Sequence, residues 1–168
     1  FHHDICLQSH FLGVEGKVKQ LLVSGLVEGP ETVLKGGPNT VGGAEATLKN
    51  SRIHGTAAGN NAIEAQSMSG GSIILGESND RVDIFGSIAD ATIDLGTGAN
   101  TLRNTLAAGE DTAQAGQGSA TGNTVSNSSI KLSGSTNVYL GYIKNDTKLF
   151  GSGANNINAA QVEDSTID

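Results

Sequence analysis

Residues Thr92 to Leu102 read Thr-Ile-Asp-Leu-Gly-Thr-Gly-Ala-Asn-Thr-Leu. Residues 147–157 read Thr-Lys-Leu-Phe-Gly-Ser-Gly-Ala-Asn-Asn-Ile, which repeats the Thr, both glycines, the Ala, the Asn and the final aliphatic residue at the same offsets. Alternating aliphatic and polar residues are typical of a half-buried strand, and Gly and Asn tolerate the positive φ of a tight corner. Each copy therefore predicts a short strand, a corner and a second strand.

Looser copies of this template recur along the chain at a nearly constant spacing. They begin at residues 32, 51, 72, 92, 112, 129, 147 and 166, so that successive starts lie 17–21 residues apart. Such a period is too short for two packed helices and fits one coil of a β-solenoid. We therefore predict an all-β fold, a β-solenoid of the β-roll or β-helix type, with coils of about 17–21 residues over residues 32–168.

The composition favours a thin core of stacked aliphatic residues. Aromatic residues make up 4% of the chain, so the large rings that dominate most cores are scarce here. In a stack of coils about 4.8 Å apart, every strand has a hydrogen-bonded neighbour, and Asn amides at one edge can bond the corner backbones of successive coils. The residues predicted for this corner ladder are Asn39, Asn60, Asn79, Asn100, Asn123, Asn137 and Asn155.

Charge and motif content exclude several classes of function. The net charge of -7 argues against a nucleic-acid partner, and no run of 18 apolar residues predicts a membrane span. The sequence contains neither a phosphate-binding loop nor a nucleophile elbow, and its acidic residues are scattered. We therefore predict that the chain is not an enzyme. The alternative of a carbohydrate-active solenoid has less support, because such enzymes usually use aromatic sugar platforms that this chain lacks.

The two ends of the chain depart from the repeat in different ways. Residues 1–31 follow the template poorly and are predicted to form an N-terminal cap or inter-subunit segment. Residues 17–23 fit either a strand or a short helix, and we favour the strand. Residues 165–168 begin a coil and stop within it. Either they belong to a longer protein, or the next subunit completes the coil and gives a head-to-tail homopolymer. The residues assigned to assembly are Phe1, Ile5, Phe11, Ser165, Thr166 and Ile167.

The corners resemble a known repeat family. Residues 96–102 and 151–157 are similar to the nonapeptide Gly-Gly-x-Gly-x-Asp-x-aliphatic-x of repeats-in-toxin (RTX) β-roll proteins of bacterial surfaces, and the resemblance covers about residues 30–168. In that family the aspartate and nearby carbonyls bind calcium between coils. The resemblance therefore implies calcium as a cofactor, with Asp80, Asn100 and Asn155 as contributors. Because Asn brings no charge to such a site, these residues themselves favour a hydrogen-bonding role at the corner.

The continuous repeat and the unfinished last coil lead to an expectation about function. We expect a structural protein, an extracellular or cell-surface β-solenoid subunit that assembles with copies of itself, head to tail, into a surface fibre or matrix. The alternative is a calcium-stabilised RTX-like binding module of a larger secreted adhesin or enzyme. The sequence names no glycan partner.

Overall fold

The computed structural model confirms the all-β solenoid. It describes the following parts of the chain: 10–12, 19–22, 25–29, 31–34, 38–55, 59–107 and 122–168. For 10–12 and 19–22 only the backbone is described. Within these ranges the regular structure is entirely β, with no helix long and apolar enough to cross a membrane.

All the described strands but one are two to seven residues long, and β16 has 16 residues because it continues around the corners. In chain order they are β1 (His10–Leu12), β2 (Lys19–Leu22), β3 (Gly25–Glu28), β4 (Glu31–Leu34), β5 (Asn39–Gly42), β6 (Ala46–Lys49), β7 (Arg52–Gly55), β8 (Asn61–Ala65), β9 (Ser67–Ser69), β10 (Ser72–Leu75), β11 (Arg81–Ile84), β12 (Ile88–Ala89), β13 (Thr92–Asp94), β14 (Ala99–Arg103), β15 (Thr124–Ser126), β16 (Ser129–Lys144), β17 (Lys148–Gly153), β18 (Asn156–Val162) and β19 (Thr166–Ile167).

Successive strands wind around three faces of the solenoid, and every pairing between coils is parallel. Face 1 carries β1, β4, β7, β10, β13, the start of β16, β17 and β19. Face 2 carries β2, β5, β8, β11, β14, the middle of β16 and the start of β18. Face 3 carries β3, β6, β9, β12, β15 and the ends of β16 and β18.

One coil differs from the predicted repeat. Ile73 pairs with Ile93, 20 residues later, and Ile130 pairs with Leu149, 19 residues later. By contrast Thr92 pairs directly with Ser129, 37 residues later. The copy predicted to begin at residue 112 falls within this interval and lies outside the described residues. The extra length falls between β14 and β15, and residues 108–121 lie outside the described part.

The core consists of three aliphatic ladders, one behind each face. Alternate residues of each strand point inward, so the same position in every coil stacks on its counterpart above and below. The central rungs, each at most 3% exposed, are Ile53, Ile73, Ile93, Ile130 and Leu149 on face 1, Ile63, Val82, Leu102 and Val138 on face 2, and Leu48, Met68, Ile88, Val125 and Ile143 on face 3. Each such side chain contributes roughly 1.5–3 kcal/mol of burial free energy.

The corner between face 3 and face 1 explains the spacing of Gly, Asn and Asp in the sequence. Each described coil has one or two residues there with a positive φ of 44–79°, which only Gly, Asn and Asp adopt readily. These residues are Gly29, Asn50, Gly70, Gly71, Asp90, Asn127, Asn145, Asp146 and Asp164. Directly after this turn the hydroxyls of Ser51, Ser128 and Thr147 are buried and donate to carbonyls within the corner or one coil away. A turn column therefore continues through the stack.

The N-terminal region enters the solenoid. Strands β1, β2 and β3 pair in parallel with β4, β5 and β6 of the next coil. The strand predicted within residues 17–23 is present as β2. The division of the chain into residues 1–31, as a cap or inter-subunit segment, and 32–168, as repeats, stays a prediction.

Candidate functional site: the corner ladder and the last coil

A column of polar side chains lies at the corner where face 1 turns into face 2. Its members occupy equivalent positions in successive coils and are Asn39, Asn61, Asp80, Asn100, Thr136 and Asn155. All but Asn155 are at most 3% exposed. Buried amides and carboxylates are tolerated only when they are hydrogen-bonded, so this inner ladder must satisfy itself.

The inner ladder is joined across coils by short hydrogen bonds. Asn39 Nδ2 donates to Asn61 Oδ1 over 2.8 Å, and the backbone N–H and Nδ2 of Asn61 both donate to Asp80 Oδ1, over 2.7 and 2.9 Å. The N–H of Asp80 donates to Asn100 Oδ1 over 2.8 Å. Asn100 Nδ2 in turn donates to the carbonyls of Leu95 and Gly96 in its own coil. Adjacent coils are thereby held in register by side chains as well as by strand pairing.

Asp80 is the exception in this ladder. Its Oδ2 is buried and accepts no hydrogen bond, whereas Oδ1 accepts two from Asn61. Burial raises the pKa of the Asp80 carboxyl above its ordinary value, and the two hydrogen bonds from Asn61 oppose that rise. The ionised side chain of Asp80 therefore has no N–H group to donate, unlike the amides of Asn39 and Asn61.

The predicted corner asparagines fall into several positions. Asn39, Asn100 and Asn155 belong to the inner ladder. Asn60 and Asn79 lie one residue earlier, are exposed, and form an outer row in which Asn60 Oδ1 accepts from Asn79 N and Asn79 Oδ1 accepts from Ala99 N. In both coils the inner rung is the next residue, Asn61 or Asp80, which the sequence prediction of the ladder missed.

The remaining two predicted ladder residues lie elsewhere. Asn123 lies just before β15, in the coil of 37 residues that begins at Thr92. Its Nδ2 donates to the carbonyls of Phe85 and Asn104 over 2.8 and 2.7 Å. Asn137 is exposed on β16, one residue after the inner rung Thr136. Neither therefore contributes to the inner ladder, and the hydroxyl of Thr136 takes the place of an amide there.

The residues implied for calcium are only partly brought together. Asp80 and Asn100 are neighbouring rungs, but Asn155 is separated from Asn100 by the rung of Thr136. The Asn100 oxygen is already used by the Asp80 N–H. In the part of the chain that the structure describes, no three His, Cys, Asp or Glu side chains cluster in a way that could hold a metal ion. Calcium binding stays a prediction.

Face 2 carries a buried ionic network that the sequence analysis did not identify. Arg103 donates through Nε and Nη2 to both carboxylate oxygens of Asp83, over 2.7 and 3.0 Å, and these side chains are 1% and 0% exposed. Arg81 bridges Asp83 and Glu64 over 3.0 and 2.8 Å. Burial raises the pKa of the Asp83 carboxyl, and the guanidinium groups of Arg103 and Arg81 oppose the rise. The network links three successive coils.

The last coil exposes the ends of the aliphatic ladders. Val162 and Ile167 continue the ladders of Ile143 and Leu149, but each is 45% exposed, whereas the residues they stack on are fully buried. Among the described strands, β18 pairs only with β16, and β19 only with β17. This surface, residues 148–167, is called the open coil below.

The predicted assembly residues can be placed only in part. Ser165, Thr166 and Ile167 lie in or beside β19, and Phe11 is the middle residue of β1. Phe1 and Ile5 lie outside the described residues. Whether these residues meet across subunits stays a prediction.

Comparisons with known proteins add no family. A search of protein-family models, of curated proteins and of solved structures found no match to the chain. The strand pairing shows a repeat β-solenoid. Membership of the RTX family stays a prediction.

Proposed function

We propose that the chain is a structural protein, an extracellular β-solenoid subunit that assembles head to tail into a surface fibre or matrix. The observation that carries the proposal is the open coil. Two residues of the aliphatic ladders, Val162 and Ile167, remain nearly half exposed there, on strands that each pair with one neighbour among the described residues. Exposed strand edges with apolar residues are the usual template for adding another strand.

A second copy of this chain fits the open coil because the first described coil has the same three-strand outline. Among the described residues, β1, β2 and β3 each pair with one neighbour, and all three pairings are parallel. Joining the two ends is a heterologous contact, which produces a filament when it does not close into a ring. Covering each half-exposed aliphatic side chain would add about 1 kcal/mol.

The test is the concentration dependence of assembly by the chain of residues 1–168. We expect light scattering after gel filtration to show species that lengthen with concentration, and negative-stain microscopy to show thin filaments one solenoid wide. Val162→Asp combined with Ile167→Asp should keep the protein monomeric, because two charges would then have to be buried in the junction. Both positions are already partly solvated, so circular dichroism should show an intact fold.

A matched control places the same two charges on the sides of the solenoid. Thr92→Asp combined with Ser69→Asp changes exposed residues on faces 1 and 3, in the middle of the stack. This variant should assemble like the wild type. A wild-type protein that stays a monodisperse monomer at high concentration would refute the proposal, as would a lateral variant that blocks assembly while the end variant assembles.

The calcium-stabilised RTX-like module remains the second candidate and has less support. The unpartnered Oδ2 of Asp80 favours it, but the neighbouring Asn100 oxygen is engaged by a backbone N–H. A stable calcium site needs several oxygen ligands with more than one charge in most cases. Unfolding measured with calcium and with a chelator separates the two candidates.

A further inference from the structure

The outer side of face 3 carries a shallow cleft with an exposed aromatic ring. Tyr142 of β16 points outward, because the next residue, Ile143, is a fully buried rung, and Tyr142 is 42% exposed. Strand pairing places Gln161 of β18 directly beside it. The cleft has a volume of about 140 Å³ and is also lined by Lys144 and Glu163. An exposed ring is thus flanked by an amide, an ammonium group and a carboxylate.

The floor of this cleft is fixed by backbone pairing on both sides. Tyr142 pairs with Thr124 of β15 and with Gln161 of β18, and its N–H donates to the carbonyl of Asn123 over 2.8 Å. The backbone at Tyr142 is therefore not available for the addition of an extended peptide strand. Recognition at this place has to come from side chains, which the strands hold in a preformed arrangement.

Charge and size narrow the class of ligand. The net charge of the chain is -7, which disfavours a nucleic acid or another polyanion, and the charges of Lys144 and Glu163 offset each other. The volume is smaller than the roughly 300–1,000 Å³ of pockets for drug-sized ligands, and suits a single ring. A pyranose ring has an apolar face of C–H groups, which packs against aromatic rings, and a rim of hydroxyls that both donate and accept hydrogen bonds.

We infer that this cleft, called the Tyr142 cleft below, binds a neutral hexopyranose residue of a polysaccharide. The ring of Tyr142 packs against the C–H face of the sugar. The carboxylate of Glu163 accepts hydrogen bonds from its hydroxyls, the ammonium group of Lys144 donates to them, and the amide of Gln161 can do both. All the roles that a sugar hydroxyl requires are therefore present around one ring.

A second cleft lies where the chain continues past the first one. It begins at Asn145 and Asp164, the residues that follow Lys144 and Glu163, has a volume of about 500 Å³ and is lined by polar side chains. It gives room for the sugars that follow along the same polysaccharide. The ligand is therefore expected to be a chain of sugars rather than a free monosaccharide.

The inference goes beyond the proposed assembly and does not depend on it. Because the side chains of the Tyr142 cleft point away from the solenoid axis, a second copy stacked on the open coil would leave them accessible. A fibre would repeat the cleft once per subunit, and such repetition strengthens binding to a polymer without any new contact.

Affinity electrophoresis of the chain of residues 1–168 tests the inference. Mobility is compared between plain gels and gels that contain hydroxyethylcellulose, α-mannan, dextran or polygalacturonate, so that any effect of assembly cancels. We expect at least one of the three neutral polysaccharides to retard the wild type. Tyr142→Ala should weaken this binding about tenfold or more, because aromatic anchors are typical hot spots, whereas Tyr142→Phe should keep most of it. Circular dichroism should show that both variants fold.

Tyrosine fluorescence provides an independent readout. The chain has no Trp, and its two tyrosines are Tyr139 and Tyr142. In Tyr139→Phe, Tyr142 is the one remaining tyrosine, so addition of the retarding polysaccharide should change its emission. Binding without any change in this emission would contradict the packing of a sugar on the ring of Tyr142.

Phe150→Ala is the matched control, since it removes a ring of similar exposure, 39%, from the outer side of face 1. It should leave binding unchanged. The inference is wrong if no neutral polysaccharide retards the wild type, if only polygalacturonate does, or if Phe150→Ala weakens binding as much as Tyr142→Ala. Assembly is measured separately, so a fibre that binds no polysaccharide refutes only this inference, and a monomer that binds one refutes only the proposed function.

Discussion

Arg103→Met should lower the free energy of unfolding by about 3–5 kcal/mol, because it leaves the carboxylate of Asp83 buried without its principal partner. Both side chains are almost completely inaccessible, and Arg103 contacts both carboxylate oxygens. Arg81 still approaches Asp83 over 3.0 Å, but it is also bonded to Glu64. Urea unfolding followed by circular dichroism measures the loss.

Two further variants show whether the loss of stability comes from the unpaired charge of Asp83. Replacing both partners, Asp83→Leu with Arg103→Met, should cost much less than Arg103→Met alone, since no charge is then left unpaired. Lys131→Met breaks the exposed pair with Asp94, which also links two coils, and should cost less than about 1 kcal/mol. If the double variant is as unstable as Arg103→Met, packing by the Arg103 stem is the cause instead.

The pH dependence of this variant provides an independent readout. Without Arg103, less opposes the effect of burial, so the pKa of Asp83 should rise further. Protonation of Asp83 then removes the unpaired buried charge. The difference in stability between Arg103→Met and the wild type should therefore become smaller as the pH falls. A difference that stays constant from pH 8 to pH 4 would contradict an electrostatic origin.

The strands and the coil period were predictable because they depend on local chemistry. A Ser or Thr followed by alternating aliphatic residues fits only a half-buried strand, and the Gly-x-Gly-x-Asn corners have few other conformations. The length of the coil that begins at Thr92 was not predictable from the template, since Thr92 pairs with Ser129, 37 residues later. The copy placed at Thr112 lies outside the described residues.

The corner ladder was predicted only to within one residue. Asn60 and Asn61 are adjacent, as are Asn79 and Asp80, and in an extended corner neighbouring residues point to opposite sides. The aliphatic residue two positions later supplies the missing signal, because strand alternation puts Asn61 on the side of Ile63 and Asp80 on the side of Val82. The structure confirms this alignment, since Arg81 pairs with Ala62 and so places Asp80 beside Asn61.

The ionic network was not predictable for a different reason. Asp83 and Arg103 occupy outward-facing positions of β11 and β14, which strand alternation assigns to solvent. Both are nevertheless buried, in the coil that contains the extra residues between β14 and β15 and in the coil next to it. Burial on the outer side of a sheet depends on tertiary packing, and the alternation of a strand contains no signal for it.

Gly98→Ala should be strongly destabilising, with an expected loss of about 2–6 kcal/mol. At a φ of 121° an L-residue is strained by about 1–3 kcal/mol, and the added Cβ would collide with the carbonyl oxygen of Ser78 in the preceding coil. Overpacking against a backbone atom costs a further 1–3 kcal/mol or so, because the strand pairing prevents the coils from moving apart.

Two other glycines separate the strain from the collision. Gly29 has a φ of 72° but open space where an added methyl group would lie, whereas Gly122 has open space and no positive φ to strain. Gly29→Ala should lose about 1–2 kcal/mol and Gly122→Ala almost nothing.

Amide exchange should locate the Gly98→Ala defect at the coils of Ser78 and Gly98, because each coil of a solenoid contacts mainly its neighbours. If Gly98→Ala loses no more stability than Gly29→Ala, the two coils can move apart to accept the added methyl group. Close stacking at this corner would then not be what holds the coils in register.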